Sequence, residues 1–149
     1  IMKYGNLENR NYEDIKDEIE TNLLGSVNIV KKSIPYLKIN RGGTIILFSS
    51  SSYSRGRGDY SIYSSTKSAI VNFTQAISEE VYKYGIKINV VIPERTKTPL
   101  REKIFGLEDP STLLEPEYVA YKTLLAIASE QTGLTFAIRK IDEKSDKFD

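Results

Sequence analysis

Thr44-Ile45-Ile46-Leu47-Phe48, followed at once by Ser49-Ser50-Ser51-Ser52, decides how the chain is read. A short unbroken run of β-branched and apolar residues suits a strand buried on both faces, as in a parallel sheet. The serines fall where that strand ends and a polar loop containing Gly56 and Gly58 begins. Parallel sheets hold their ligands at the carboxyl ends of their strands. A serine hydroxyl at this place is therefore a candidate for chemistry. Ser50 lies 13 residues before Tyr63, which opens the stretch Tyr63-Ser64-Ser65-Thr66-Lys67. Residues four apart share one face of a helix, so Tyr63 and Lys67 present a phenol and an ammonium side by side. A phenol with a pKa near ~10 is a poor acid-base catalyst at neutral pH, and a neighbouring cation favours the phenolate. A proton donor, its tuner and a hydroxyl to hold an oxygen are what carbonyl reduction requires.

Downstream, the helical pattern runs from Tyr60 to Tyr84 and is ended by Gly85. Ile86 to Ile92 reads as the next strand, closed by Pro93. Glu94 to Thr112 is read as a long irregular stretch, and long loops of this kind are usually lids or binding loops. A helix from Glu117 to Ser129 and a last strand from Leu134 to Ile138 follow. From Arg139 onward 8 of 11 residues are charged, so residues 139–149 are expected to form a solvated tail.

Upstream lies a long helical pattern, Tyr12 to Leu37, with Asn11 as its N-cap. Ile15, Ile19, Leu23, Val27, Val30, Ile34 and Leu37 make its apolar stripe, and Asn22 stands at the edge of that stripe. Pro35 is expected to bend or loosen this helix. Helix, strand, helix, strand, helix, strand argues one α/β domain over residues 1–149 with a three-stranded parallel sheet and three helices.

Composition narrows the function. The apolar fraction of 40% is enough for a core. The net charge of +1 gives no electrostatic case for nucleic acid or a membrane surface. Cysteine and histidine are both absent, which removes disulfides, thiolate metal sites and the commonest general base. Acid-base chemistry is left to Tyr, Lys, Asp or Glu. No apolar run approaches the roughly 20 residues of a membrane span, and a cytoplasmic protein is the expectation.

Asn22 precedes Ser50 by 28 residues, so Asn22, Ser50, Tyr63 and Lys67 follow in that order on helix, strand end and helix. In this the chain resembles the short-chain dehydrogenase/reductase family, over roughly Tyr12 to Arg139. The resemblance implies a Rossmann-type fold, an NADP or NAD cofactor and the reduction of a carbonyl to an alcohol. It implies that Ser50 holds the carbonyl oxygen, Tyr63 donates the proton, Lys67 lowers the Tyr63 pKa and contacts the nicotinamide ribose, and Asn22 orders a water leading to Lys67. Ser49 or Ser51 takes the place of Ser50 if the strand slips by one residue. Pro93, the Thr96 backbone and the Thr98 hydroxyl are implied at the nicotinamide. Glu94 stands where the family commonly has glycine, which raises the question of the backbone conformation there.

Against the family pattern the chain corresponds to the C-terminal half of a doubly wound sheet. The glycine-rich half that cradles the pyrophosphate is absent, and with it most of the cofactor site. The expectation is a half-sheet with an unpaired edge and no activity of its own. The two long helices are those that pair across subunits in related reductases, so a homo-oligomer is expected. The competing class is a non-catalytic dimerisation or scaffold module that kept the fold.

Arg55 and Arg57 follow the serines, and Arg95, Lys97, Arg101 and Lys103 follow Pro93. Guanidinium groups bind phosphate bidentately. Pro93-Glu94-Arg95-Thr96-Lys97-Thr98-Pro99 looks like the reductase domain of bifunctional ribitol-5-phosphate cytidylyltransferases. That narrower resemblance implies ribulose 5-phosphate as substrate, ribitol 5-phosphate as product for polysaccharide precursors, and fusion to a cytidylyltransferase domain. Arg55, Arg57, Arg95 and Lys97 are then the candidates for the phosphate.

Overall fold

The computed structural model describes residues 1–146. Strands β1 (Gly43–Phe48), β2 (Ile86–Pro93) and β3 (Thr135–Ile138) form one sheet in the order β1-β2-β3. Both pairings are parallel, with Gly43 opposite Ile86, Phe48 opposite Val91, and Pro93 opposite Ile138. β2 is central and buried almost throughout, because its two faces serve two cores. Ile86, Ile88, Val90 and Ile92 point to one side, where Val30, Ile70, Val71 and Val81 meet them. Val91 points to the other, against Leu114, Tyr118, Val119 and Ala126. The period of two along one strand thus sorts its residues between two helical layers. β1 and β3 are the sheet's edges, as a half-sheet requires.

The long helix is three segments end to end: α1 (Tyr12–Ile19), a π-helical turn (Glu20–Leu24) and α2 (Gly25–Ile39). The Asn11 side chain caps α1 by accepting the Glu13 N–H. Pro35 was expected to loosen the helix, but α2 continues through it and the irregular turn lies earlier, around Asn22. α3 (Ser61–Val81) is followed by a 3-10 turn, and Gly85 then adopts φ 70° in the left-handed region. α5 (Pro116–Ala128) covers the second face.

Two expectations are corrected. The stretch 94–112 is not irregular: it contains α4 (Pro99–Phe105) and a 3-10 turn at Pro110–Thr112. The Thr98 hydroxyl caps α4 and Pro99 supplies a preset φ at its first position. The start of the charged end is also ordered. α6 (Lys140–Ser145) is held by Glu94, whose carboxylate accepts the Lys140 N–H (3.0 Å). The Tyr118 hydroxyl donates to Asp146 (2.5 Å) beneath it. The rest of the expected tail, residues 147–149, lies outside the described residues. The helices therefore number more than the three expected, the additions being the short α4 and α6.

Candidate active site

The site is assembled at the carboxyl ends of β1 and β2. Beyond Phe48 the chain turns through Ser49 and Ser50 into a 3-10 turn, Ser51–Tyr53. The Ser49 hydroxyl donates to the Lys67 carbonyl (2.8 Å), and the Ser68 hydroxyl donates to the Tyr53 carbonyl. The serine turn is thereby tied at both ends to α3, the helix that carries Tyr63 and Lys67. Ser50 and Tyr63 line one cavity, and the Ser50 hydroxyl pulls the Tyr63 pKa down. Ser49 is committed to the α3 backbone, and Ser51 is exposed.

Lys67 lies under Tyr63, its Nζ 5.6 Å from the ring centroid, and donates to the Phe48 carbonyl (3.0 Å). Burial lowers its pKa from the ordinary lysine value. Burial likewise raises the Tyr63 pKa, while the Ser50 hydrogen bond pulls the other way. The expectation that Lys67 lowers the Tyr63 pKa is not met in this state. Desolvation of the phenolate outweighs the rest, and the ammonium is turned toward the Phe48 carbonyl. Tyr63 is protonated at neutral pH, the form a proton donor needs, and burial makes it a weaker acid than a free phenol.

Asn22 sits in the π-turn, 7% exposed. Its Nδ2 donates to the Ile1 carbonyl (2.7 Å) and reaches Thr66 Oγ1 at 3.4 Å, and its Oδ1 accepts from the Ile1 backbone nitrogen (2.7 Å). The wider π-turn brings Asn22 toward the helix that carries Thr66 and Lys67; such turns are frequent at functional sites. The neighbouring Glu18 is fully buried and paired with Arg10 (2.8 Å), and its other oxygen accepts the Lys3 N–H (3.1 Å). This pair fastens residues 1–10 to α1 and sets Met2 against the site.

Ser50 and Tyr63 open into a cavity of about 600 Å³. Ser49, Ser51 and Ser52 line one side of it, and Pro93, Glu94, Arg95, Thr96 and Thr98 another. Lys67 and Asn22 are not among the residues that line it. The six expected basic residues divide. Arg57, Arg95 and Arg101 line the cavity, while Arg55, Lys97 and Lys103 do not. Lys97 turns toward Glu115 (3.9 Å). Arg101 is held bidentately by Glu108 (2.5 and 2.8 Å), whose carboxylate also stands 3.9 Å from Arg95. These guanidinium groups hold the Glu108 pKa below the usual carboxylate value.

The sequence reading missed Tyr60, Leu100 and Phe105, which also line the cavity. Tyr60 and Phe105 meet edge-on at 6.0 Å, and Tyr4 joins both, at 6.1 and 5.9 Å. Residues this far apart in the chain carry no shared local signal. Phe105 becomes legible only once Thr98-Pro99 is read as the start of a helix.

The residues present fit the nicotinamide end of a dinucleotide. Pro93, Thr96, Thr98 and Tyr63 share the cavity wall, and Lys67 lies immediately beneath Tyr63. The Thr98 hydroxyl oxygen accepts the Arg101 N–H (3.2 Å), which leaves its proton free for an acceptor. Glu94 is no obstacle. Arg41 and Asp59 are the non-glycine residues with positive φ among those described, so Glu94 keeps an ordinary backbone. Its N–H continues the sheet by donating to Ile138 (2.9 Å).

The chain belongs to the short chain dehydrogenase family, whose model matches residues 1–108. It is 46% identical over 144 residues to the bifunctional ribulose 5-phosphate reductase/CDP-ribitol pyrophosphorylase Bcs1 of Haemophilus influenzae, covering 97% of this chain and 30% of that protein. It is 31% identical over 104 residues to a human 3-oxoacyl-[acyl-carrier-protein] reductase, covering 70% of this chain and 44% of that one. Among solved structures, a gluconate 5-dehydrogenase from Burkholderia cenocepacia, in complex with NADP and tartrate, superposes with a TM-score of 0.87 at 19% identity. That match covers 94% of this chain and 60% of the other. The chain thus spans less than two thirds of these relatives. Among the described residues no helix is long and apolar enough to cross a membrane.

Proposed function

We propose that this chain is the catalytic half of an NAD(P)H-dependent reductase that converts the ketone of a pentulose phosphate, such as ribulose 5-phosphate, to the corresponding alcohol. The observation that carries the reading is the shared cavity, which Ser50 and Tyr63 line together with Arg57 and Arg95. The 46% identity to a ribulose 5-phosphate reductase supports the same substrate class. A bound nicotinamide supplies the hydride. Ser50 donates a hydrogen bond to the carbonyl oxygen, and Tyr63, a protonated phenol at neutral pH, delivers a proton to that oxygen as charge develops on it. Lys67 holds the Phe48 carbonyl and so fixes the strand end that presents Ser50. Asn22 ties the π-turn to Thr66 and steadies α3 beneath the site. Arg57 and Arg95 take the phosphate; Arg101, engaged by Glu108, braces the wall behind it.

The site needs a glycine-rich half for the pyrophosphate, and the two long helices offer the surface for a homo-oligomer. The test is steady-state kinetics of an intact reductase domain carrying this chain, on ribulose 5-phosphate and on ribulose. Charge-assisted hydrogen bonds are worth roughly 1.5–3 kcal/mol, so the phosphorylated ketose is preferred by about tenfold or more per contact in kcat/KM. Arg57→Ala and Arg95→Ala each erode that preference, and Arg55→Ala does not. Equal efficiency on the two ketoses, or a preference untouched by both variants, refutes the substrate assignment.

A further inference from the structure

Ser52 is 5% exposed and lines the cavity, yet the mechanism above gives it nothing to do. Its backbone N–H donates to Ser50 Oγ (3.3 Å), and its hydroxyl lies 3.2 Å from the same oxygen. We propose that Ser52 is a positioning residue for carbonyl reduction: it fills the acceptor sites of the Ser50 hydroxyl, so that the one Ser50 proton is left for the carbonyl oxygen.

The argument is one of hydrogen-bond capacity. A serine hydroxyl has two acceptor lone pairs and a single proton. At Ser50 both acceptor sites are met from the 3-10 turn, one by an amide and one by a hydroxyl. The Ser50 proton is then left for an acceptor in the cavity that Ser50 and Tyr63 share. Ser52 and Ser50 thus form a directed pair of hydroxyls at the wall of the cavity that Tyr63 also lines. Each donor in such a chain polarises the next, by about 10–30% per bond. The geometry is not free to drift. The Tyr53 N–H donates to the Ser50 carbonyl (2.9 Å), and the turn is pinned to α3 through Ser49 and Ser68. The same helix carries Tyr63, so the relay is built on one rigid frame.

The inference rests on the reductase reading but not on the identity of the ketose. Ser52→Ala keeps the amide donor and removes the hydroxyl, so it dissects the relay without disturbing the turn. In an intact reductase domain, kcat is expected to fall about five- to tenfold, the effect of one neutral hydrogen bond, with KM within about twofold. In the direction of alcohol oxidation, the pH midpoint assigned to Tyr63 is expected to move upward. Ser52→Thr, which retains the hydroxyl, should restore both. Ser50→Ala/Ser52→Ala should be no slower than Ser50→Ala, because Ser52 acts through Ser50.

A readout that needs no substrate is the ultraviolet titration of phenolate, taken as the difference from Tyr63→Phe in each background. The Tyr63 midpoint rises in Ser52→Ala if the relay exists. An unmoved midpoint, or a Ser52→Ala effect of full size in the Ser50→Ala background, overturns the inference. If the titration shifts while ribulose 5-phosphate proves no better than ribulose, the substrate reading falls and the relay stands.

Discussion

Tyr63→Phe in an intact reductase domain removes one oxygen and leaves a ring whose packing the structure defines. That ring stands edge-on to Tyr60 at 6.3 Å, a contact phenylalanine keeps. The hydroxyl shares the cavity wall with Ser50, and a neutral hydrogen bond between them would contribute about 0.5–1.5 kcal/mol net. Relief from burying the hydroxyl offsets part of that, so the stability change at neutral pH should stay under about 1 kcal/mol. Catalysis has no such offset. General acid catalysis contributes about 10²–10⁴-fold, or roughly 3–5 kcal/mol of barrier, and turnover should fall by that factor.

The pH dependence gives a second handle on the same residue. Burial raises the Tyr63 pKa above its ordinary value of 10.0. Above about pH 10 the unfolded phenol loses its proton while the folded one retains it. The native state then binds more protons than the unfolded state, and wild-type stability falls as pH rises. The phenylalanine variant lacks that loss, so the stability difference should shift in its favour on going from neutral to alkaline solution. Cofactor absorbance measures the turnover, and urea denaturation at neutral and alkaline pH measures the linkage. A variant that keeps more than about a tenth of wild-type turnover, or a stability difference that ignores pH, refutes the assignment.

Three further outcomes follow from buried polar groups. Ser64 Oγ is the buried side-chain polar atom without a hydrogen-bond partner among the described residues, so Ser64→Ala should be neutral or stabilising by up to about 1 kcal/mol in thermal melts; a clear loss would show that the hydroxyl has a partner. Arg10→Met leaves the Glu18 carboxylate buried and unpaired, which should cost about 3–5 kcal/mol in urea denaturation, and adding Glu18→Leu should recover most of it; a double variant as unstable as the single one contradicts this. Asn89 donates to Gln131 and accepts from Leu134 in the core, so Asn89→Leu strands two backbone groups and should cost about 2–5 kcal/mol; a loss under about 1 kcal/mol would mean that the loop re-pairs them.

Much of this architecture is legible in the chain because the signals are local. The run Thr44 to Phe48, the run Ile86 to Ile92 and the stripes between them specify a parallel sheet between helices, and the ladders of β1 and β2 agree. The spacing of Ser50 and Tyr63 likewise survives into space, since strand end and helix start are joined by one short loop. What the sequence hid depends on direction or distance. Side-chain aim split the six basic residues, since Arg57 and Arg95 reach the cavity while Arg55 and Lys97, near neighbours in sequence, do not. The density of charge after Arg139 suggested solvation, but Glu94 and Tyr118 capture α6 from far along the chain. The irregular turn at Glu20–Leu24 went unread because Ile15, Ile19, Leu23 and Val27, spaced by four, still look like one stripe. The interplay of Tyr63 and Lys67 needed coordinates, since burial decided the sign for both.

That turn has a consequence for comparing this chain with its relatives. A π-turn is one residue longer than the α-turn it replaces. Residues before Glu20 and after Leu24 therefore do not share a single helical wheel. A wheel drawn from α1 and extended into α2 rotates each later position by about one residue, roughly 100°. It would turn each position of α2 about a quarter of the way round from the face it occupies. Aligning relatives across this segment thus calls for two phases, with the change placed at Asn22. A relative that lost one residue there could keep an unbroken helix of similar composition while its asparagine faced away from the site.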